Sequence, residues 1–478
     1  MLTWAARGQL RGTKSINPST VGCSDDDRFA RLLYFRQLKV DWVPGILSSA
    51  DLFWRRAMKN STSRVAAVVL MAGMILAAAA AHATTYYVAT TGSDSNACSA
   101  TAKCLSLSRA YSVAAGGDTI EVAGGSYKAQ SIPKRSLGTS VVTFRPAAGE
   151  TVTLAGLSIT ASYVEVDDIT LSSTGGLTIG DMSQSDTTYT NHVTIRNMSG
   201  QTMFIVGQNI TMYGGSWGGF NACNSSAEDI ADVYPACPNG TCQMSSKYIT
   251  FDGVTFHDVS DNGNQCSGAK HVDCLQFLGG EYVTVRNSRF YNCATTNMIL
   301  RPYQNALASN VTIENNFLQD TIDNGGISLN IGSGGDTISG TNTIRYNSGG
   351  SMSWAPSSGT VSVVGNAFAT GACQSNVSYS YNVWTPSWSA SCGSNAKKAN
   401  PTFVGPIPTP ALNAVAPDYH LAATDTVARG AGSPTVYPAT DIDGQTRTSP
   451  PDAGADQITT GSTATKPDPP TNVQAIVN

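Results

Sequence analysis

The phrases Ile249-Thr-Phe-Asp-Gly, Val283-Thr-Val-Arg-Asn and Val311-Thr-Ile-Glu-Asn share one pattern: an apolar–Thr–apolar triplet, a polar residue, then Asn or Gly. Alternation with period two indicates short strands, and Asn or Gly supplies a turn that tolerates left-handed backbone. The phrases start 34 and then 28 residues apart. Such short strands cannot bury their own apolar face, so this repetition predicts stacked coils. Looser copies begin at Val193, Ile210, Thr343, Val361 and Val377.

A second set of strands lies between these phrases, at Leu275-Gln-Phe-Leu, Met298-Ile-Leu-Arg and Ile327-Ser-Leu-Asn. Aligned in this way, the strands give four columns of side chains. The inward columns are Leu275, Met298 and Ile327, and Phe277, Leu300 and Leu329. The outward columns are Gln276, Ile299 and Ser328, and Leu278, Arg301 and Asn330. Aligned inward aliphatics predict an all-β, single-stranded parallel β-helix over residues 84–400, with Ile331 also buried. The alternative is an antiparallel sandwich, whose two-residue hairpin turns fit the long, variable spacers poorly.

The first 83 residues differ from the rest. Residues 1–57 are rich in Arg and carry no strand pattern, so we interpret them as an upstream extension outside the folded protein. Residues 58–83 resemble a secretory signal peptide, with basic Lys59 and Arg64, an apolar run over 65–81, and a small-x-small site ending at Ala83. A membrane anchor is the alternative, but the apolar run is near the short end of the roughly 20 residues that a span needs.

Charge and cysteine content fit an exported protein. Residues 1–83 hold 11 Lys+Arg and 5 Asp+Glu, so the net charge of −4 for the whole chain becomes −10 for the remainder. Such acidity argues against nucleic-acid binding. Ten of the 11 cysteines follow residue 83, and an even number in an exported chain predicts disulfides. Cys98 with Cys104 and Cys373 with Cys392 are the expected local pairs. The other six leave 15 connectivities open, and a zinc site at Cys237 and Cys242 is the less favoured alternative.

The entry to the coils carries a family resemblance. Thr85-Tyr-Tyr-Val is strand-like, residues 105–114 have apolar side chains at helical spacing, and Gly116-Gly-Asp-Thr-Ile-Glu-Val-Ala-Gly-Gly-Ser-Tyr127 follows. This stretch resembles the start of right-handed parallel β-helix proteins of the pectate-lyase-like superfamily, in which a capping helix precedes such a strand. The resemblance implies a right-handed β-helix with an N-terminal cap.

Two further segments stand apart from the coils. Residues 215–248, with three cysteines and several carboxylates, are predicted to form a disulfide-pinned loop that leaves the stack. Residues 401–457 resemble the closing segment of bacterial β-helix surface proteins, through Asp441-Ile-Asp-Gly-Gln-Thr-Arg and Pro451-Asp-Ala-Gly-Ala-Asp. Residues 458–478 read as a linker and the first strand of a fibronectin type III-like domain.

Charged residues concentrate between positions 252 and 301, where stacked coils would bring distant residues within about 5 Å. The resemblance to polysaccharide lyases implies that carboxylates hold calcium against a uronate while an Arg or Lys abstracts a proton. It assigns three roles. The catalytic candidates are Arg301, Lys270 and His271; the substrate-binding candidates are Gln276, Asn330 and His257; and the calcium ligands are Asp258, Asp261 and Asp273. The alternative is that these Asp and His side chains only satisfy turns and loops.

Two function classes follow from these features. One is a secreted or cell-surface carbohydrate-active enzyme, foremost a lyase that cleaves an acidic polysaccharide by β-elimination. The other is a non-catalytic adhesin that binds a cell-surface glycan. A glycoside hydrolase with paired Asp residues is less favoured, because the Asn-Thr-Asp, Gly-His-Gly and Arg-Ile-Lys motifs of hydrolases with this fold are absent. No membrane span and no nucleic-acid partner are expected in the mature chain.

Overall fold

The computed structural model describes residues 83–458, except 186–188, 225–227, 243, 262–270, 324–327, 333–335, 372 and 387–391. The predicted leader and the fibronectin-like start lie outside these ranges except for their boundary residues 83 and 458. Within the described residues, no helix is long and apolar enough to cross a membrane.

Three long sheets of parallel strands dominate the structure. Between residues 119 and 331, each coil supplies a strand to sheet A, then one to sheet B, then one to sheet C, and each strand pairs with the equivalent strand of the next coil. The strands of the second and third repeated phrases, Gly280–Arg286 and Thr312–Glu314, pair in parallel, which excludes the antiparallel sandwich. The predicted parallel β-helix is therefore confirmed.

Sheet A comprises Thr85–Val88, Thr119–Val122, Val142–Pro146, Val164–Asp167, Asn191–Arg196, Gln208–Tyr213, Lys247–Asp252, Gly280–Arg286, Thr312–Glu314, Asn342–Arg345, Val361–Val364 and Val377–Ser380, with Ala308–Ser309 and Ile338–Ser339 beside it. Sheet B comprises Gly125–Tyr127, Val152–Leu154, Ile169–Leu171, Ser199–Gly200, Ser216–Asn221, Thr255–Ser260, Arg289–Tyr291 and Phe317–Leu318. Sheet C comprises Gln130–Ile132, Leu157–Ile159, Gly176–Ile179, Thr202–Ile205, Ala231–Val233, Asp273–Phe277, Thr296–Leu300, Leu329–Ile331, Ser351–Trp354 and Thr370–Gly371. A small fourth sheet holds Ala367–Phe368, Val383–Trp384 and Lys397–Lys398.

The repeated phrase sets the register of sheet A. Thr250 pairs with Thr284, and Thr284 pairs with Thr312, so the triplets stack residue on residue. The fifth residue of each phrase has a positive φ, 72° at Gly253 and 52° at Asn287. Gly and Asn adopt this left-handed conformation at low cost, and the turn out of sheet A therefore recurs on every coil.

Buried asparagines stack at the turn after sheet A. Asn316, Asn347, Asn366 and Asn382 are fully buried. The side-chain oxygen of Asn347 accepts from the backbone N–H of Asn316 at 3.0 Å, and that of Asn366 accepts from the backbone N–H of Asn347 at 2.9 Å. This ladder satisfies backbone groups that the turns would otherwise leave unpaired in the core.

The inward columns of sheet C are partly as predicted. Leu275 pairs with Met298 and Phe277 with Leu300. The predicted inward residues that the structure describes have exposures of 0–1%: Leu275, Phe277, Met298, Leu300, Leu329 and Ile331. The predicted register of the third strand is wrong by two residues: Leu329 lies against Met298, and Ile331 lies against Leu300. Ile327 lies outside the described residues. A shift of two keeps every side chain on its face, so alternation alone cannot detect it.

The segment after residue 215 is a full coil, contrary to the prediction of a loop leaving the stack. It supplies Ser216–Asn221 to sheet B and Ala231–Val233 to sheet C, with 3₁₀ turns at Ala222–Asn224 and Pro238–Gly240. The carboxylates of this segment therefore lie on the β-helix wall.

Four disulfides join cysteines of the described residues. Cys98–Cys104 and Cys373–Cys392 confirm the two predicted pairs. Cys237 pairs with Cys242, which excludes the zinc alternative, and Cys274 pairs with Cys293. Cys223 is also disulfide-bonded. Disulfides persist in oxidising compartments and are consistent with export.

A short α-helix, Leu107–Val113, occupies the position of the predicted cap. Ser106 begins it, accepting a hydrogen bond from the backbone N–H of Arg109. Leu107, Ala110 and Tyr111 are buried in the same core as the first strands. The helix contacts strands Thr85–Val88 and Gln130–Ile132.

Residues 401–457 run back along the coils as an irregular segment. Its carbonyl groups at Pro408 and Thr440 accept from the side chains of Gln319 and Asn315. Its backbone N–H at Asn413 donates to Asp258 at 2.6 Å. The segment is therefore anchored to side chains on sheet B strands and beside them.

Candidate functional site

One outward row of side chains crosses sheet C over successive coils. In register along this row lie Phe204, Asp232, Gln276, Ile299 and Asn330. Gln276 and Asn330 thus share a row, with Ile299 between them. The register predicted from the sequence puts Asn330 beside Arg301 instead. Neighbouring strands are about 4.8 Å apart, so the row forms a continuous outer wall.

A pair of carboxyl groups lies at the centre of this wall. Asp229 and Asp232 are hydrogen-bonded to each other. With its amide nitrogen turned toward them, Gln276 donates to Oδ2 of Asp229 and Oδ1 of Asp232, each at 3.1 Å. The backbone N–H of Asp273 donates to Oδ1 of Asp229 at 2.6 Å. Two carboxyl groups can share a hydrogen bond only when one of them carries a proton.

Electrostatics favour that shared proton. Burial, followed by the charges of Asp232 and Asp273, raises the pKa of Asp229 well above its ordinary value. Burial also raises the pKa of Asp232 to about 6, with the charge of Asp273 adding to it and the hydrogen bond to Asp229 opposing it. Like charges this close do not both ionise readily, so the pair holds a proton near neutral pH.

Beside this pair, His271 binds Asp273. His271 Nδ1 lies 2.7 Å from Oδ2 of Asp273, and Thr296 Oγ1 also donates to that carboxylate. The hydrogen bond to Asp273 raises the pKa of His271, and burial opposes the shift. The charge of Arg301 lowers the pKa of His271, opposite to the effect of Asp273. His271 and Asp273 thus lie in direct contact, and the roles predicted for His271, Asp273 and Arg301 remain predictions.

Aromatic rings flank the carboxyl pair. Phe204 precedes Asp232 in the outward row, and its ring lies 5.0 Å from that of Tyr234. Burial, then the charges of Asp232 and Asp229, raises the pKa of Tyr234 to about 12. Tyr303 interacts with Tyr234 and is 46% exposed. Rings beside carboxyl and amide groups suit the apolar faces and hydroxyl groups of sugars.

Among the described residues, the predicted calcium ligands Asp258, Asp261 and Asp273 do not form a potential metal-ligand group. Oxygens of Asp258 accept from His257, Asn292 and the backbone of Asn413 on the sheet B side. Asp273 is engaged by Thr296 and His271 at the start of a sheet C strand. Asp258 also lies inside strand Thr255–Ser260 rather than in a loop. These carboxylates face N–H and O–H donors, which does not fit a calcium cage of converging oxygens.

Among the described residues, a potential metal-ligand group gathers at His420, Asp443 and Asp456 of the closing segment. His420 Nε2 lies 2.6 Å from Asp443, and its Nδ1 contacts Asp418. Although burial opposes it, bonding to Asp443 and Asp418 raises the pKa of His420 to about 9. Both ring nitrogens then donate to carboxylates, so the group is explained as an ion-pair network.

Sequence reasoning missed Asp229 and Asp232 as site residues, and Lys270 lies outside the described residues. A signal for the first two exists. Asp229-Ile-Ala-Asp-Val aligns with Asp273-Cys-Leu-Gln-Phe, since Ala231 pairs with Leu275 and Asp232 with Gln276. The cysteine-rich surroundings obscured this copy of the repeat.

The raised pKa of Asp232 predicts a pH-dependent contribution to stability. A folded-state pKa above the unfolded value means that the folded protein holds the proton more tightly. The contribution is complete below about pH 4 and is lost as pH rises through about 6. Asp232→Asn does not ionise at this position. We therefore expect its unfolding free energy, measured relative to wild type, to be higher at pH 8 than at pH 4 by on the order of 1–3 kcal/mol.

Urea unfolding at both pH values measures this difference. Glu165→Gln is the control, because Glu165 pairs with Arg196 at 3.1 Å on the outer face of sheet A and is partly exposed. An unchanged difference between Asp232→Asn and wild type at the two pH values would contradict the shared proton.

Comparisons with known proteins identify no relative at the sequence level: no family model and no curated protein matches the chain. Among solved structures, pectate lyase Pel9A is 17% identical over 78% of this chain and 96% of its own, with a TM-score of 0.34. XylC in complex with xylose is 10% identical over 66% and 85%, with a TM-score of 0.36. The PL6 family alginate lyase AlyGC is 12% identical over 70% and 58%, with a TM-score of 0.35. Likenesses this distant carry no argument about activity.

Proposed function

We propose that this protein is an exported carbohydrate-active enzyme that hydrolyses glycosidic bonds of a polysaccharide on the outer face of sheet C. The observation that carries the proposal is the proton-sharing pair of Asp229 and Asp232. A glycosidic oxygen is a poor leaving group until it is protonated, and the acid must still hold its proton at the working pH. Burial and like charge provide such an acid.

The surroundings of the pair support a glycan substrate. The outward row offers an amide at Gln276 and another at Asn330, with the ring of Phe204 at the opposite side of Asp232. Successive members of the row are one coil, about 4.8 Å, apart, so Phe204, Gln276 and Asn330 recur at every second coil and suit an extended chain lying across the strands. The disulfides support export.

Product analysis tests this proposal. The mature protein is incubated with panels of neutral and acidic polysaccharides, with calcium and with a chelator. Hydrolysis gives new reducing ends without ultraviolet absorbance, whereas β-elimination gives unsaturated products that absorb. Unsaturated products alone would overturn the hydrolase and support the lyase. Binding without either product would support the adhesin.

β-Elimination remains a second candidate because Arg301 is exposed on the same wall, near both His271 and Asp336. Under the hydrolase proposal, we expect Arg301→Ala to keep turnover within about tenfold, because a single exposed cation contributes to binding only modestly. The melting temperature should be nearly unchanged. Reducing-end kinetics measure this. Loss of turnover at unchanged KM, paired with loss of ultraviolet-absorbing product, would assign Arg301 as the base of a lyase.

A further inference from the structure

A second constellation lies on sheet B, away from the carboxyl pair. Ser216 and His257 point outward from neighbouring strands, and Ser216 Oγ lies 2.9 Å from His257 Nε2. His257 Nδ1 lies 2.7 Å from Oδ2 of Asp258. The three side chains thus form a continuous chain of hydrogen bonds from a hydroxyl, through an imidazole, to a carboxylate.

The hydrogen-bond partners fix the protonation of this chain. Burial opposes ionisation of Asp258, but bonds from His257, Asn292 and Asn413 outweigh it and lower the pKa of that carboxyl. An ionised carboxylate only accepts, so His257 carries its proton on Nδ1. In the neutral ring Nε2 is then an acceptor, and the Ser216 hydroxyl donates to it. This is the arrangement that activates a serine nucleophile.

Asp258 is held in place from two directions. Nδ2 of Asn292 donates to its Oδ1 at 2.9 Å, and the backbone N–H of Asn413 in the closing segment donates to the same atom at 2.6 Å. The His257 ring in turn stacks on Tyr291, with centroids 5.3 Å apart. These contacts orient the imidazole toward Ser216.

A groove opens at this point on the surface. It has a volume of about 360 Å³, and Ser216 and His257 both line it. Its other walls include Leu171, Ser199, Gln201 and Gly219. A Cβ at Gly219 would meet no atom within 4 Å, so the backbone there is open to a bound molecule. The groove is small, which suits a short acyl group better than a long one.

We propose that Ser216, His257 and Asp258 are a catalytic triad that hydrolyses short-chain esters in this groove. Ser216 Oγ attacks the ester carbonyl carbon while His257 Nε2 takes the hydroxyl proton. The C–O bond to the alcohol breaks, and the alcohol leaves with that proton. Water then attacks the acyl-serine, giving its proton to His257, and the carboxylic acid is released as Ser216 regains a proton. The sum is ester plus water to alcohol plus acid.

Two probes test the triad on the mature protein. A fluorophosphonate should label Ser216, as read by mass spectrometry of the modified peptide. Hydrolysis of p-nitrophenyl acetate should fall by roughly 10³-fold or more in Ser216→Ala and in His257→Gln. Ser126→Ala is the matched control, since Ser126 is an exposed serine on an earlier strand of sheet B and does not line the groove. It should keep both labelling and hydrolysis. p-Nitrophenyl octanoate should be hydrolysed at least tenfold more slowly than the acetate.

Absence of a Ser216 adduct, together with equal acetate hydrolysis by wild type and Ser216→Ala, would overturn the proposal. Ser216→Ala removes only a hydroxyl from a partly exposed position, and an unchanged melting temperature shows that it folds. The Asp229→Asn/Asp232→Asn variant should keep full ester hydrolysis, so failure of the triad and failure of the glycosidase proposal are distinguishable.

Discussion

Asp229→Asn and Asp232→Asn, singly and combined, are expected to slow polysaccharide cleavage by about 10²–10⁴-fold, the range that general acid–base catalysis contributes. Asparagine keeps the shape and hydrogen-bond acceptor of the aspartate but cannot transfer the proton. The combined variant should be little less active than the less active of the two single variants, because two groups that share one proton act as a unit. Reducing-end assays on the best substrate of the product screen measure the effect.

Glu165→Gln is again the control, and it should retain full activity because its carboxylate pairs with Arg196 on sheet A. Both Asp variants should melt at or above the wild-type temperature near pH 8, since each removes charge from a buried, like-charged pair. Lost activity with retained or raised stability would separate catalysis from folding. Wild-type turnover in the combined variant would contradict the proposed acid and leave the wall as a binding surface.

The coils could be predicted from the sequence because their determinants are local. The triplet in Val283-Thr-Val and its following Asn287 specify a strand and a left-handed turn without reference to the rest of the chain. Register between coils is a weaker signal. The Leu329–Ile331 strand was misplaced by two residues because a period-two pattern is unchanged by such a shift.

The candidate sites depend on stacking and were harder to predict. Asp232 pairs with Gln276, which is 44 residues later in the sequence, and Ser216 contacts His257, which is 41 residues later. Neither pair forms a local motif, since each is created by the number of residues in one coil. The sequence pointed to the right wall through His271 and Asp273, but it could not show that Asp258 turns away from them to bind Asn413.

The closing segment presents the largest expected effect on stability, at Arg447. Its side chain is 4% exposed and lies over the ring of Tyr346 at 4.6 Å. Nη2 donates to the carbonyl of Gly454 at 2.9 Å and to Oδ1 of Asn315 on the coils at 3.0 Å. Burial lowers the pKa of Arg447 to about 10, which still leaves it charged at neutral pH.

We expect Arg447→Met to lower the free energy of unfolding by about 3–5 kcal/mol, the usual cost of removing one partner from a buried charged network. Methionine fills much of the volume but leaves the carbonyl groups and Asn315 without their donor, and it leaves the nearby Asp441 without a compensating charge. Arg429→Met is the matched control, because Arg429 is exposed on the same segment and should change stability by less than about 0.5 kcal/mol. Urea unfolding gives the energies, and limited proteolysis shows whether residues 401–457 are released first. Equal stability of the two variants would mean that the closing segment is held by its backbone contacts, such as Gly454 N–H to the carbonyl of Gly365, rather than by the buried guanidinium.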